Sequence, residues 1–414
     1  MITVGLDFGT HQTKVCVETK DGVELNYRFL LFNDDKNQSF YTIPSIIGIG
    51  NDGLLTYGYL PKKYNGRVIR YFKQSAFYPI GSGMSNKEAM YYSIWFIAYI
   101  LFDLEELYDK NFTIQMGAPT DSSHVNEAKQ IATRIIASAY RLVEDIFENK
   151  KDAFLSTPIS QLSEITEIIE YSDEIKEEYG LLVFPEAYAC LKPLISQRKI
   201  DIGMSLMIDI GGGTTDISFF TIENNMPQVY DFFSINKGLN YLTCAEEKER
   251  KGYIVEFESE IDNSRKKIFT HEINGICKTI LNTLLSELKK QTRLRRSILL
   301  DALQDRTIVY CGGGSTFPTL RVEYDGYKNI KLISSTELNS KCVSQIDDII
   351  AKNLCPILST AYGLSISTEH DNIQMKPLKE IFEHVRDAED DPVNNRFGQA
   401  YGGFSYGDDW DAWK

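Results

Sequence analysis

Short apolar runs separated by glycine and polar residues open the chain and predict a β-hairpin. The run over residues 2–7 is followed by a Gly-Thr turn, and a second strand-like run extends over 13–18. Apolar runs over 23–32 and 41–49 predict further strands, and another run covers 112–117. The first hundred residues therefore predict a sheet built around an N-terminal hairpin.

Longer segments of the first half have the period of a helix. Residues 87–108 are dense in aliphatic and aromatic side chains, which predicts a mostly buried helix. Residues 122–148 carry one apolar stripe, and residues 160–178 predict a charged, exposed helix. A strand over 180–184 precedes Pro185, which begins a helix running to about residue 196.

The second half repeats the order of a hairpin, a long helix and further strands. The predicted elements are strands over 204–209 and 215–222, a helix over 272–303, strands over 307–311 and 329–333, and a closing helix over 346–366. Strands and helices alternate in both halves, which favours an α/β architecture.

Composition and charge narrow the class of protein. Of 414 residues, 44 are Lys or Arg and 58 are Asp or Glu, so the formal net charge is -14. This balance disfavours binding to nucleic-acid phosphates or to anionic lipids. The most apolar run, 94–102, is much shorter than the roughly 20 residues that a bilayer needs, and no signal peptide is recognisable. The sequence predicts a cytoplasmic protein without nucleic-acid or membrane partners.

The seven cysteines contain no CxxC pair, which predicts reduced thiols rather than a disulfide scaffold. Cys16, Cys190 and Cys311 lie in apolar segments and are predicted to be small core residues. The five histidines show no ligand spacing with cysteine or acidic residues, so no zinc site is predicted.

A repeated hairpin motif carries the chemistry. Residues 4–14 read VGLDFGTHQTK and residues 206–217 read LMIDIGGGTTDI, so each has an apolar strand, an Asp, a glycine turn, a Thr and a second strand. Glycine lets a backbone approach an oxyanion, and successive turn N–H groups form an anion-binding concavity. Asp7 and Asp209 suit Mg²⁺, which prefers carboxylates and water. The pair predicts a phosphate held between two similar lobes.

A third glycine run, Gly312 to Gly314, follows a predicted strand and is followed by Ser315. Such a turn suits a base and ribose lying against backbone, next to a helix N-terminus that favours phosphate. The chain has neither a GxxxxGK[ST] P-loop nor a complete GxGxxG fingerprint, which disfavours P-loop and dinucleotide folds.

The order of these motifs resembles the sugar kinase, heat-shock chaperone and actin superfamily, and within it the ATPase domain of the seventy-kilodalton heat-shock chaperones. Four other segments, 41–45, 117–120, 184–189 and 361–363, resemble that domain's threonine-proline-serine strand, its valine-proline-alanine strand and its two interlobe helices. The resemblance covers about residues 1–368. It implies a bilobal actin-like ATPase fold, with two similar mixed-sheet lobes around a central nucleotide cleft that binds ATP or ADP with Mg²⁺.

Carried over to this chain, the resemblance implies roles for individual residues. Asp7 and Asp209 would hold the hydrated Mg²⁺, and Glu186 would order an attacking water. Phosphate contacts would come from the two hairpin turns, and the adenosine pocket would be lined by the third glycine turn. The implied binding residues are Gly9, Thr10, His11, Lys14, Gly211, Gly212, Gly213, Thr214, Thr215, Gly312, Gly313, Gly314 and Ser315, and Thr214 is also implied in catalysis.

Three of the implied assignments have simple alternatives. Lys73 follows Phe72, as the family's catalytic lysine follows a phenylalanine, and is the candidate for that role. A surface lysine after a phenylalanine would fit equally well. Glu247, Arg250 and Lys251 have the spacing of the adenine-binding helix, although a solvated charged face is at least as good an explanation. His11 replaces a small polar residue of the family, so it either contacts phosphate or is an exposed loop residue.

The predicted domain organisation follows from the motifs. Lobe I would span 1–202, with an outer subdomain over 36–110, and the helix over 346–368 would close it. Lobe II would span 203–345, with a reduced outer subdomain at about 241–270. Residues 370–414 contain ten acidic and five basic residues and are predicted to be a flexible acidic tail, whose aromatic side chains could instead dock a partner.

The departures from the family bear on function. The chaperone's peptide-binding domain is not present, which puts client binding in doubt. The leading hypothesis is a slowly hydrolysing, chaperone-like ATPase that acts as a conformational switch on a protein partner. The alternative is an actin-like filament former in plasmid segregation or cell shape, which would self-assemble. A small-molecule kinase is the third hypothesis.

Overall fold

The computed structural model describes most of the two lobes. The described residues are 2–61, 64–77, 84–109, 112–119, 123–169, 176, 179–196, 205–223, 226–243, 258–290 and 306–380. Among them, no helix is long and apolar enough to cross a membrane.

Lobe I is built on a mixed sheet that contains the N-terminal hairpin. Its main strands are β1 (Ile2–Asp7), β2 (Gln12–Asp21), β3 (Glu24–Phe29), β10 (Phe112–Ala118) and β11 (Leu182–Pro185). The strand order is β11-β10-β1-β2-β3, with β6 (Ile43–Pro44) paired to β2. The three N-terminal strands are antiparallel, whereas β1, β10 and β11 are parallel.

Lobe II repeats this topology with a second set of strands. They are β12 (Ser205–Ile210), β13 (Thr215–Glu223), β14 (Met226–Ile235), β15 (Arg306–Cys311) and β16 (Tyr327–Leu332). The order is β14-β13-β12-β15-β16, with the same antiparallel hairpins and the same parallel pairs. The predicted α/β class, with two similar mixed-sheet lobes around a central cleft, is confirmed.

The outer part of lobe I carries short strands and an aromatic-rich helix. The strands are β4 (Phe32–Asn33), β5 (Ser39–Phe40), β7 (Ile47–Gly50), β8 (Leu55–Tyr57) and β9 (Gly66–Ile69). They precede α1 (Phe72–Phe77) and α2 (Asn86–Tyr108). A capping box starts α2, because Ser85 Oγ accepts from the backbone N–H of Glu88 while Glu88 Oε2 accepts from that of Ser85.

The remaining helices pack on the sheets or cross between lobes. They are α3 (Val125–Arg141), α4 (Lys151–Leu155), α5 (Ile159–Glu167), α6 (Glu186–Ala189), α7 (Leu239–Leu242), α8 (Asn263–Lys290), α9 (Ile346–Ala351) and α10 (Cys355–Ser365). Helix α10 lies directly on β1, because a Cβ at Gly5 would overlap the backbone of Ala361 and Ser365.

Several predicted helices are shorter than their apolar patterns. The stripe over 122–148 forms α3 and then a π-helical turn, Leu142–Ile146. The predicted closing helix is divided into α9 and α10, because Asn353 has a positive φ of 54° and Pro356 lies in the first turn of α10. The predicted helix over 272–303 begins earlier, at Asn263, and 291–305 lie outside the described residues.

The segment after α10 crosses behind both lobes. Asp371 accepts hydrogen bonds from Lys176 Nζ and from the backbone N–H of Val183 in β11. Four residues later Met375 forms a parallel bridge with Val229 in β14. Only 370–380 of the predicted tail are thus described, and 381–414 lie outside the described residues.

Candidate functional site

The two hairpins present their charged residues at equivalent register positions. In lobe I, Asp7 pairs with Lys14 across β1 and β2, and in lobe II, Asp209 pairs with Asp216 across β12 and β13. The offset is seven residues in both. Cross-strand neighbours point to the same face, so each hairpin directs two charged side chains toward the cleft.

Hydrogen bonds hold each hairpin turn. Ser45 Oγ donates to the carbonyl oxygen of Gly9 at 2.6 Å, which ties the first turn to the segment around β6. In the second turn, the backbone N–H of Gly211 donates to the carbonyl oxygen of Thr214 at 3.0 Å. Asn240 N–H donates to the carbonyl oxygen of Gly212, so helix α7 anchors the tip of this turn.

The third glycine turn lies against the carboxylate of Asp209. Gly312 has a φ of 77°, and a Cβ there would overlap Asp209 Oδ1. Glycine is therefore required both by the backbone conformation and by the close approach. Ser315 Oγ donates to the carbonyl oxygen of Gly312 at 2.7 Å, which holds the turn closed.

These turns enclose a cavity of about 100 Å³ between the lobes. The predicted site residues that line it are Asp7, Gly9, Thr10, His11, Lys14, Lys73, Glu186, Asp209, Gly211, Gly212, Thr214, Gly312 and Gly313. The structure thus brings together residues that are up to 306 positions apart in the chain.

Other predicted site residues are not part of the lining. Gly213 approaches Thr10 and Gln74 of the other lobe, and Gly314 packs on Ile210. Thr215 Oγ1 donates to the carbonyl oxygen of Lys237, and Ser315 Oγ donates to that of Gly312. Glu247, Arg250 and Lys251 lie outside the described residues.

The structure places Lys73 inside the cleft and not on the surface. It lies in α1, is 5% exposed, and its Nζ is 2.6 Å from Glu186 Oε1 at the start of α6. A second ion pair joins Lys14 Nζ to Asp7 Oδ2 at 2.8 Å. The cavity therefore holds two lysines that are each paired with a carboxylate.

Burial shifts the pKa values of Glu186 and Asp209 upward. Burial raises the pKa of Glu186, although the ammonium of Lys73 opposes the shift. Burial likewise raises the pKa of Asp209. Burial opposes the charge on Lys14, but the carboxylate of Asp7 outweighs it and the Lys14 pKa is raised. Four acidic groups, those of Asp7, Glu186, Asp209 and Asp216, and two lysines thus share one poorly solvated space, where charged interactions are strong.

Asp216 is a site residue that the sequence motif contained but to which no role was assigned. It is 4% exposed, lines the cavity, and its Oδ1 has no hydrogen-bond partner. Burial raises its pKa well above the usual value, and the charge of Glu186 adds to the shift. The signal was its position in β13, seven residues after Asp209, which equals the Asp7 to Lys14 spacing.

Hydrogen bonds from both interlobe segments hold the carboxylate of Asp209. Cys190 Sγ, at the end of α6, lies 3.1 Å from Asp209 Oδ2, and Thr360 Oγ1 in α10 donates to the same oxygen at 3.2 Å. The thiol of Cys311 and burial raise the pKa of Cys190 well above its usual value, and burial raises that of Cys311 to about 11. No local sequence pattern indicated these contacts.

His11 lies in the cleft and bridges the two lobes. Its Nε2 is hydrogen-bonded to Asn240 Oδ1 in α7, and a Cβ at Gly212 would overlap its ring. Burial lowers the His11 pKa to about 4, so the imidazole is neutral at pH 7. A second bridge joins Gln74 of α1 to Asn236. These contacts hold the lobes in a closed arrangement.

Comparisons with known proteins add little to this geometry. No protein-family model matches the chain, and no curated protein matches it. Among solved structures, a crystal structure of MreB5 of Spiroplasma citri bound to ADP matches with a TM-score of 0.38 and 15% identity, covering 85% of this chain and 97% of that chain. ADP is the ligand of that protein, and at this level of similarity it does not identify a ligand here. The MreB5 match does not support the chaperone ATPase domain in particular.

Proposed function

We propose that the chain is an ATPase of the actin-like superfamily that binds Mg²⁺–ATP between its lobes. The matched pair of hairpins carries the proposal. Asp209 and Asp216 are like-charged cross-strand neighbours, an arrangement that is unfavourable without a cation. Asp7 and Lys14 occupy the equivalent positions of the other lobe. A divalent cation would neutralise the carboxylates of the two hairpins, and the phosphates would bind the cation and Lys14.

The residues present fit a hydrated Mg²⁺ ion. Asp7, Asp209 and Asp216 offer the carboxylate oxygens that Mg²⁺ prefers, and Asp216 Oδ1 has no partner to lose. When bound, Mg²⁺ supplies positive charge that stabilises the phosphate oxygens during transfer. The fit accounts for the presence of three aspartate side chains around one small cavity.

The chain's own groups supply the remaining parts of phosphoryl transfer. Backbone N–H groups of the glycine turns suit phosphate oxygens, and the Lys73 ammonium would neutralise charge on the transferred group. Glu186 would orient the attacking water, because its carboxylate lines the cavity beside the ammonium of Lys73. Such reactions depend mainly on positioning and on charge stabilisation.

The closed cleft implies that the lobes move. The cavity of about 100 Å³ is smaller than the roughly 300 Å³ at which ligand pockets begin. The nucleoside would lie along Gly312 to Ser315, and its entry requires the His11–Asn240 and Gln74–Asn236 contacts to separate. Nucleotide binding and hydrolysis would therefore change lobe closure.

Lobe closure could serve one of two functions. Nucleotide-dependent closure would either drive a chaperone-like switch on a partner or control assembly of copies into an actin-like filament. Light scattering with and without ATP separates the two outputs, because only a filament former scatters more with nucleotide.

ATP hydrolysis by site variants tests the proposal. We expect Asp209→Asn and Lys73→Ala each to lower turnover by about 10²-fold or more, as for the loss of one transition-state contact. Asp152→Asn and Lys150→Ala change the same residue types at exposed positions of lobe I and should leave turnover unchanged. Undiminished turnover in both site variants would remove the mechanism.

A further inference from the structure

Two thiols converge behind the carboxylate of Asp209. The sulfur atoms of Cys190 and Cys311 and a carboxylate oxygen of Asp209 all lie within 4.8 Å of one another. Cys190 follows α6, Cys311 ends β15, and Asp209 lies near the end of β12, so three elements meet here. Both cysteines are 0% exposed, and Asp209 separates them from the cavity.

The spacing of these atoms suits a metal ion with sulfur ligands. Zinc takes sulfur at about 2.3 Å and oxygen at about 2.0–2.2 Å, so tetrahedral ligand atoms lie roughly 3.5–3.8 Å apart. Cys190 Sγ lies 3.1 Å from Asp209 Oδ2, and the 4.8 Å limit on the set brackets the required range. Small side-chain rotations would therefore give three ligands around one ion.

A fourth position is available on the cavity side. Thr360 Oγ1 lies 3.2 Å from both Cys190 Sγ and Asp209 Oδ2, and Thr360 and Asp209 both line the cavity. A water molecule in the cavity could complete the tetrahedron there. The Lys14 ammonium, which interacts with Asp209, would offset part of the ligands' negative charge.

We propose that Cys190, Cys311 and Asp209 form a binding site for a thiophilic divalent cation of the Zn²⁺ type. On binding, the metal–sulfur bonds replace the two S–H bonds, and the two protons pass to solvent. Hard Mg²⁺ prefers an all-oxygen shell and would not use the thiols. Because Asp209 serves both sites, a bound thiophilic cation excludes Mg²⁺ from that carboxylate. This inhibitory consequence rests on the proposed function, whereas the binding itself does not.

The other buried thiols of the described residues lack this arrangement. Cys16 and Cys355 lie in an apolar cluster of lobe I, and Cys277 lies in the core of lobe II. Among the described residues, the set around Asp209 is the group of three cysteine, histidine or acidic residues close enough to hold one ion. From the sequence, Cys190 and Cys311 were predicted to be small core residues. Their contact with Asp209 could not be predicted, because Asp209 lies in a separate strand.

Cobalt titration of the full chain tests the site directly. Co²⁺ takes the same ligands as Zn²⁺ and gives a thiolate-to-metal absorption band when sulfur is bound. We expect one Co²⁺ per chain with this band, and displacement by Zn²⁺. Wild-type protein that binds Co²⁺ without the band, or does not bind it, overturns the proposal without recourse to any variant.

Variants assign the ligands. Cys190→Ala and Cys311→Ala should each weaken Co²⁺ binding by about tenfold or more and reduce the band. Asp209→Asn keeps both thiols, so the affinity should fall while the band remains. Cys16→Ala changes an equally buried cysteine and should bind as wild type does. An unchanged band in the Cys190→Ala/Cys311→Ala protein, shown to be folded by its melting curve, contradicts the assignment.

Mg²⁺–ATP binding by the same proteins, measured before any cobalt is added, separates the two proposals. A missing cobalt band with intact Mg²⁺–ATP binding rejects the thiolate site alone. An intact band in protein that binds no nucleotide rejects the proposed function alone. If both hold, Zn²⁺ should inhibit ATP turnover of the wild type but inhibit Cys311→Ala at least about tenfold more weakly, in line with the loss of one ligand. Equal inhibition of both proteins contradicts the shared use of Asp209.

Discussion

At the residue scale, Asp216 is the carboxylate whose charge the folded site disfavours most clearly, because burial and the charge of Glu186 raise its pKa well above the usual value. It is buried opposite Asp209 with an oxygen that lacks a partner. Asp216→Asn keeps the shape and removes the charge, so we expect ATP turnover to fall about 10²-fold. The thermal unfolding midpoint should stay constant or rise, since burial and the charge of Glu186 disfavour the charged form of Asp216 in the folded protein. Turnover assays and melting curves measure both effects.

The combination of the two readouts is what identifies the role of Asp216. The exposed variant Asp152→Asn should change neither turnover nor melting. Full activity of Asp216→Asn would mean that Mg²⁺ does not use this carboxylate. A lower midpoint would mean that Asp216 is held by contacts of the apoprotein and is structural.

The buried pair of Lys73 and Glu186 predicts a pH-dependent stability change. Lys73→Ala leaves the carboxylate buried alone, which should lower the free energy of unfolding by about 3–5 kcal/mol at neutral pH. The folded-state pKa of Glu186 is already raised and rises further in the variant. Between the unfolded and folded pKa values the folded state binds more protons, so stability falls as pH rises.

Urea unfolding as a function of pH measures this effect. The deficit of Lys73→Ala should disappear below the unfolded pKa of about 4.3, where the carboxyl group is neutral in both states. Adding Glu186→Gln should remove the pH dependence. A deficit that stays constant from acidic to neutral pH would show that only packing was lost.

The role of a single residue could be predicted when the residues that define it are adjacent in the sequence. Asp7 and Asp209 were predicted because each follows an apolar strand and precedes glycine. The local signature of Lys73 was only the preceding Phe72, and the packing of α1 against the cleft is what distinguishes it from a surface lysine. Cys190 and Thr360 contact Asp209 from chain segments that no periodicity connects to it.

At the scale of elements, α10 packs on β1 of lobe I and also reaches Asp209 of lobe II. A side chain at Gly5 would overlap the helix backbone, so Gly5→Ala should lower the free energy of unfolding by about 1–3 kcal/mol. Gly275→Ala is the matched control, because Gly275 lies exposed in α8 with open space around it. That variant should gain about 0.5–1 kcal/mol from helix propensity.

Denaturant unfolding of both glycine variants tests the contact. Equal stability of the Gly5→Ala and Gly275→Ala proteins would contradict the close packing of α10 on the first strand. A further check is that Gly5→Ala should also weaken nucleotide binding, because α10 carries Thr360 to the carboxylate of Asp209.

Strands marked by alternating apolar residues around glycine turns were predicted well. Helix ends that depend on backbone conformation or on proline were not. The hairpins at 2–21 and 205–223 follow directly from alternating apolar residues around glycine turns. The apolar pattern over 346–366 continues through Asn353, yet the helix breaks there because of the backbone at Asn353 and the position of Pro356. Apolar periodicity reports which face is buried and does not report where a helix stops.

At the scale of the whole molecule, two copies of one topology enclose a single site. The repeated motif predicted the two lobes, because similar hairpins 202 positions apart require similar sheets. The degree of closure was not predictable, since it depends on pairs such as His11 with Asn240 that only the assembled lobes bring together. The domain boundaries and the role of residues 381–414 stay predictions.

The central claim is that phosphates bind between the two hairpin turns with a divalent cation held by their aspartates. Calorimetric titration of the wild-type chain with ATP, with and without Mg²⁺, tests it most directly. We expect one nucleotide per chain, with affinity at least about tenfold lower without Mg²⁺ or in Asp209→Asn, as for the loss of one charge-assisted contact. Absence of binding to Mg²⁺–ATP, or binding that neither change weakens, would contradict the account.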